Sequence, residues 1–287
     1  MKITKLDYLL LLFLALLLAA GLWSYAQACK RAVIVLRTPS PAAAAAVFSE
    51  TAPMISVPLP ADSRESIKLP ILMYHGIAGS STEESEYFIK AERLESDLKW
   101  LRDNGYTTIL PSQMIAYATN GARLPQKPII LSFDDGYCNN YTYAFPLLQK
   151  YQATAVIALM NASGLVEFAS HTYNLHHIEK SRKGADRKPG ESLEDYTRVL
   201  TDDLQRNQDA IAAAIGKPPQ VFAWPYGAYP ADKSADPILK AVGIRASFTS
   251  YQHTSELRRG DADSLLGLGR YLRTPQFDIA KIAENAD

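Results

Sequence analysis

Pro128-Ile-Ile-Leu-Ser-Phe-Asp-Asp-Gly136 decides how this chain is read. Its first six residues are an almost unbroken apolar run, as expected of a strand covered on both faces. Two adjacent carboxylates, Asp134 and Asp135, follow where that strand leaves the core. They repel one another unless one holds a cation and the other is left as a base, which is what a metal hydrolase needs. The plainer alternative is an Asp-Asp-Gly turn with both carboxylates in water.

Working outward, Leu69 to Tyr74 is a second buried strand, ending at His75-Gly76. Glu92 to Asn104 carries Leu94, Leu98 and Leu101 at helical spacing, with Gly105 where a left-handed cap is wanted. Thr107 to Leu110, Ala153 to Leu159, Val166 to Ser170, Val221 to Trp224 and Ala246 to Thr249 read as further strands. Tyr141 to Tyr151 reads as a helix. Ser192 to Ile215 is the longest helix, opened by Ser192 and Asp195 at capping-box spacing and closed by Gly216. This alternation predicts an α/β protein with a mainly parallel sheet, and no internal repeat interrupts it.

Two more polar clusters fall at predicted strand ends, where parallel α/β barrels place their active sites. In His171-Thr-Tyr-Asn-Leu-His176-His177, three of the five histidines lie within seven residues, and imidazole is a common zinc ligand. On one continuous helix His171 and His176 would diverge by about 140°. They converge only if a strand end or turn carries His171 and the next helix begins near His176, leaving His177 as the spare. In Trp224-Pro-Tyr-Gly227, a turn at a strand end could aim an N–H at a developing oxyanion and offer an aromatic wall to a sugar. Each cluster also has a plain reading, a polar turn and a common Pro-x-Gly strand end.

The 287 residues balance 30 Lys+Arg against 30 Asp+Glu, so no basic face is expected and nucleic acid is not an expected partner. Sixteen Tyr, 9 Phe and 3 Trp supply a sizeable core, and 2 Cys cannot build a disulfide scaffold. Cys138, beside the Asp-Asp-Gly turn, is read as a packing residue. Lys2 and Lys5 precede an apolar stretch from Tyr8 toward Ala28, which is about the 20 residues a spanning helix needs. Residues 1–28 are therefore read as a signal peptide or membrane anchor, with Cys29 a further option for lipid attachment. Residues 29–66, rich in Pro, Ser and Ala, read as a flexible linker, and residues 67–287 as the catalytic domain.

Met73-Tyr-His-Gly-Ile77, Leu131-Ser-Phe-Asp-Asp-Gly-Tyr137, Ser170-His-Thr-Tyr-Asn-Leu-His176 and Phe222-Ala-Trp-Pro-Tyr-Gly227, in this order, resemble the polysaccharide deacetylase family, the NodB-like carbohydrate esterases of family 4. Within it the chain is most similar to the branch acting on exported poly-β-1,6-N-acetylglucosamine. The resemblance implies a distorted (β/α) barrel and a divalent metal, usually zinc and sometimes cobalt or nickel, on Asp135, His171 and His176. It implies Asp134 as the base, the Tyr226 N–H as an oxyanion donor, and Trp224, Pro225, Tyr226 and Gly227 as substrate-binding residues. The partner it implies is an N-acetylglucosamine polysaccharide; the apolar N-terminal segment adds the membrane as an expected partner, with export-machinery proteins an open option. The expected location is outside the inner membrane, periplasmic or extracellular, anchored or secreted.

The chain departs from the family pattern in three places. The late Leu-x-His motif is matched by Leu266-Gly-Leu-Gly-Arg270, without a histidine, so His75 is the expected acid or polar partner. The arginine often found two residues before the proline of the third motif is Ala223, which predicts a less restrained Asp134. Only Met160 to Leu165 separate two predicted strands, whereas a parallel crossover usually needs a dozen or more residues. Either those strands are not parallel neighbours, turned by a hairpin or with the chain running back over the barrel, or one βα element is missing.

Overall fold

The computed structural model describes residues 65–157, 165–179 and 181–284. The expected signal or anchor and most of the expected linker lie outside these residues. No helix among the described residues is long and apolar enough to cross a membrane.

The chain begins with β1 (Ser66–Leu69), β2 (Ile71–Tyr74), β3 (Gly76–Ala78) and β4 (Phe88–Lys90), followed by α1 (Ala91–Asp103), β5 (Thr107–Thr108) and α2 (Pro111–Asn120). Next come β6 (Pro128–Phe133), α3 (Phe145–Tyr151), β7 (Ala155–Ile157), β8 (Val166–Ser170), α4 (Leu193–Ile215), β9 (Val221–Ala223) and α5 (Asp236–Ala241). β10 (Ala246–Phe248), β11 (Ser255–Arg258), β12 (Tyr271–Leu272) and α6 (Lys281–Glu284) complete it. Eight strands form one sheet in the order β10-β9-β8-β7-β6-β2-β12, with β5 added beside β6. Every pairing in it is parallel. A parallel bridge between Phe248 and Leu268 ties β10 to the chain entering β12, so the sheet curls until its two ends meet.

Strand parity decides what faces the inside of that curl. Ile71, Ile130, Val156, Ala169, Val221, Ala246 and Phe248 share one core with Met114 and Ile115 of α2. Leu72, Tyr74, Ile129, Leu131 and Phe133 pack instead with Leu94, Leu98 and Leu101 of α1 and Leu148 of α3. Phe222 and Trp224 pack with Tyr196, Leu200 and Leu204 of α4. Both faces of β2 and β6 are therefore buried, which is why their sequences lack polar alternation.

Several elements differ from the sequence reading. The strand expected over Thr107 to Leu110 stops at Thr108 because Leu110 caps α2, where its N–H donates to the Gln113 side chain at 2.8 Å. That helix was not anticipated, although Pro111 at its first turn and Gly121 at φ 70° are ordinary start and stop signals. β7 and β8 are parallel neighbours, Ala155 opposite Val166 and Ile157 opposite Phe168, which excludes a hairpin between them. Their pairing spans only three residues, roughly 10 Å of strand. Residues 158–164 lie outside those described.

Candidate active site

The inward parity that fills the core continues past the strand ends and sets the site. Ile130, Ser132 and Asp134 alternate along one face of β6, Ala169 and His171 along β8, and Ile71, Met73 and His75 along β2. These side chains arrive at one mouth of the curled sheet, in a cavity of 690 Å³. Asp135 joins them because its backbone enters the left-handed region, at φ 63°.

Asp135, His171 and His176 each place one ligand atom within 4.8 Å of the other two. Asp135 Oδ1 is 3.6 Å from His171 Nε2 and 3.4 Å from His176 Nε2. Two ligands about 2.1 Å from a tetrahedral ion stand roughly 3.4 Å apart, so the spacing suits a bridging cation better than direct hydrogen bonds. The outer nitrogens are held too: His171 Nδ1 donates to Ala223 O at 2.7 Å, leaving Nε2 a bare lone pair, and His176 Nδ1 is 3.3 Å from the Tyr226 hydroxyl. Such outer contacts fix the tautomer and orientation of metal-binding imidazoles. These three residues fit a divalent metal.

His176 comes within reach without a helix beside it, since α4 begins only at Leu193. Thr172, at φ 71°, bends the chain instead. The Asp203 carboxylate on α4 accepts the Tyr173 and Asn174 N–H groups at 2.8 and 2.7 Å. Asn207, one turn further on, donates to Thr172 O at 2.9 Å and accepts from Ser170 Oγ at 2.7 Å. His177 turns away to Glu179 at 3.1 Å.

Asp134 is buried, 5 % exposed, and is not loosely held as the sequence reading expected. Arg270 grips it with both arms, Nη1 to Oδ1 at 2.6 Å and Nη2 to Oδ2 at 2.8 Å. Arg270 is itself fixed, Nε donating to Thr249 O at 2.8 Å and Nη1 to Ser132 Oγ at 3.3 Å. The arginine absent at Ala223 thus arrives from the far end of the sheet, at the entry to β12. Burial opposes the charge on Asp134, but Arg270 first, then His171, outweighs it and holds its pKa at about 2. Asp135 is also lowered, chiefly by its contact with His171. For His171, burial works against protonation, but the two aspartates outweigh it and its pKa is raised. The field here favours positive charge.

His75 lines the same cavity, and its Nδ1 is buried with no partner among the described residues. Burial lowers its pKa more than the aspartates raise it, so it rests neutral. Its ring meets Tyr87 edge-on at 4.8 Å.

The Trp-Pro-Tyr-Gly turn requires a correction. Trp224 follows the parity of Phe222 into the helical layer, is fully buried and touches Phe222 and Tyr229, so its ring is no wall for a ligand. Pro225 and Gly227 are buried as well. Gly227 sits at φ 65°, where a Cβ would fall 1.8 Å from Ser250 Oγ, so its service is to backbone packing. Tyr226 alone of the four is exposed, at 38 %. Its backbone is left-handed at φ 57°, and its ring lies 4.9 Å from His176.

A curled parallel sheet thus carries, at the carboxyl ends of its strands, an Asp-His-His group that could hold a metal ion beside a buried carboxylate. The polysaccharide deacetylase family profile matches residues 155–247. The match holds both site histidines and Tyr226, while His75, Asp134, Asp135 and Arg270 come from outside it. The chain is 26% identical to the poly-β-1,6-N-acetyl-D-glucosamine N-deacetylase of Escherichia coli (strain K12), over 62% of its own length and 33% of that protein's. It is 25% identical to the protein of the same name from Staphylococcus aureus (strain MSSA476), over 59% of its length and 63% of that protein's. The chain therefore spans from a third to somewhat under two thirds of these curated relatives. A solved de-N-acetylase from Aggregatibacter actinomycetemcomitans superposes with a TM-score of 0.63 at 27% identity, covering 76% of this chain and 99% of that one.

Proposed function

We propose that this protein is a metal-dependent N-deacetylase of an N-acetylglucosamine polysaccharide of the β-1,6-linked type, acting outside the cytoplasmic membrane. One observation carries the reading: the Asp135-His171-His176 ligand set stands beside Asp134, a buried carboxylate kept ionised by Arg270. The names of the relatives support the glycan, and the apolar stretch from Tyr8 toward Ala28 supports export.

A divalent ion, zinc foremost and cobalt or nickel as alternatives, would supply the Lewis acidity that activates water near neutral pH and polarises the acetamide carbonyl. Asp134 accepts a proton from the attacking water, with its oxygens aimed by Arg270. The Tyr226 N–H donates to the carbonyl oxygen as it gains charge at the tetrahedral carbon. His75, neutral at rest, would relay the proton to the departing sugar amine. The C–N bond breaks, and acetate and a free amine leave. Tyr87 and Tyr226, both exposed and lining the cavity, offer rings against which sugars can pack.

The test is free-amine release from β-1,6-linked N-acetylglucosamine oligomers by the full chain, with zinc, cobalt or nickel and with chelator, beside Asp134→Asn. Metal-dependent release by the unaltered protein alone is expected. A folded protein that releases no amine with any of the metals would overturn the reading.

A further inference from the structure

The chain after His176 leaves the sheet and folds into a small lobe on the rim of the cavity. Ile178 and Lys183 form an antiparallel bridge. Glu179 N donates to Arg182 O at 2.8 Å, and Asp186 N to Lys183 O at 3.2 Å. Arg182 is buried, bonded to Glu191 and to Asp186 O. Gly184 N donates to His177 O at 2.9 Å. A Cβ on Gly184 would lie 2.9 Å from Pro225 O and 3.3 Å from the Tyr226 ring, so the lobe is pressed against the turn that carries Tyr226. Lys183 is thus fixed next to a residue touching Tyr226, whose hydroxyl reaches His176. Its side chain is exposed and lines the cavity, with no acidic partner among the described residues.

The other charges of the cavity are answered. Asp134 is paired with Arg270, and Asp135 belongs to the ligand set, facing His171 and His176. Lys183 is left as an uncompensated positive charge where the units flanking the reacting sugar would lie. An N-acetylglucosamine unit is neutral, whereas a unit already deacetylated can carry an ammonium group. We propose that Lys183 is a specificity-determining residue that disfavours chains bearing a free amine beside the acetamide in the site, so that deacetylations are spaced along the polymer. This rests on the glycan N-deacetylase reading and extends it from the reaction to its pattern. Two like charges several ångströms apart at a wet surface should alter kcat/KM by roughly three- to tenfold, less at high salt.

The experiment compares two β-1,6-linked pentamers, one fully acetylated and one with a single internal glucosamine, at about pH 6.5. The unaltered protein, Lys183→Gln and Lys183→Glu are each supplied with zinc and checked for fold by circular dichroism. The unaltered protein should prefer the fully acetylated pentamer by ~3- to 10-fold in kcat/KM. Lys183→Gln should lose that preference while keeping its rate on the acetylated pentamer, Lys183→Glu should reverse it, and added salt should compress all three. Calorimetric binding of the fully deacetylated pentamer should tighten from Lys to Gln to Glu. An unchanged preference in Lys183→Gln, or a binding order that stays flat, overturns the proposal. If neither pentamer is hydrolysed by any variant, the N-deacetylase reading fails, and the binding series still decides the role of Lys183.

Discussion

A carboxylate as buried as Asp134 would ordinarily be protonated or left out of the core. Arg270 makes its ionised form the stable one, and that single pair holds the carboxylate rigidly in place. Replacing Arg270 by Met leaves a buried charge alone, so thermal or denaturant unfolding should show a loss of about 3–5 kcal/mol. Arg270→Lys, keeping the charge but not the two-armed grip, should recover part of that stability while kcat stays roughly a hundredfold down, because a lysine cannot aim both carboxylate oxygens. Trp224 invites the opposite expectation. Because its ring is fully buried against the helical layer, although the residue borders the cavity, Trp224→Phe should lower stability by about 1–3 kcal/mol and leave KM for the glycan unchanged. A large rise in KM at unchanged stability would place its ring against substrate after all.

At the scale of elements, α4 does more than cover the sheet. Asp203 and Asn207 on one of its faces hold the backbone from Thr172 to Asn174, and that bend brings His176 to His171. Asp203→Ala touches no ligand, yet zinc affinity, measured by competition with a chromophoric chelator, should weaken by roughly 10- to 100-fold. On the opposite rim, Glu84 pins the loop carrying Tyr87. It accepts from Arg93 Nε and Nη2 at 2.9 and 2.8 Å and from Lys90 N at 2.9 Å. The contact with Arg93, above all, holds the Glu84 pKa at about 2. Since this folded pKa lies below the unfolded value of about 4.3, the stability it contributes is present above pH ~4.3 and is lost as pH falls toward 2. Glu84→Gln should therefore be less stable than the parent near pH 6, with the gap in melting temperature closing as the pH is lowered. A gap that persists unchanged to the acid limit would mean that the loop is held by something else.

For the whole molecule, the three ligand residues come from the ends of two strands and a loop pinned to a third layer, so an ion bound there links parts of the chain far apart in sequence. Zinc should bind the folded chain and not the unfolded one, raising the melting temperature by an amount equivalent to about 4 kcal/mol at a thousandfold excess over Kd. Chelator should reverse the rise, and Asp135→Asn should abolish it. The curl of the sheet is what makes this linkage possible. With β12 beside β2, and Leu268 bridged to Phe248, residues from both ends of the domain share one mouth.

The sequence by itself determined the parallel α/β class, because apolar runs too long and too unbroken for a half-exposed strand must be buried on both faces. The resemblance of its motifs to the polysaccharide deacetylases implied Asp135, His171 and His176 as ligands and Asp134 as the carboxylate beside them, and the fold brings these four residues to one cavity. Strand parity was present in Val221 to Trp224 as well, and would have sent Trp224 outward with Phe222. Only the tertiary structure decided that Arg270, 136 residues from Asp134, would restrain the base, that Asp203 would bend the chain toward His176, and that β7 and β8 would run parallel across a short connection. These depend on which strand ends meet when the sheet curls, and local spacing carries no record of that closure.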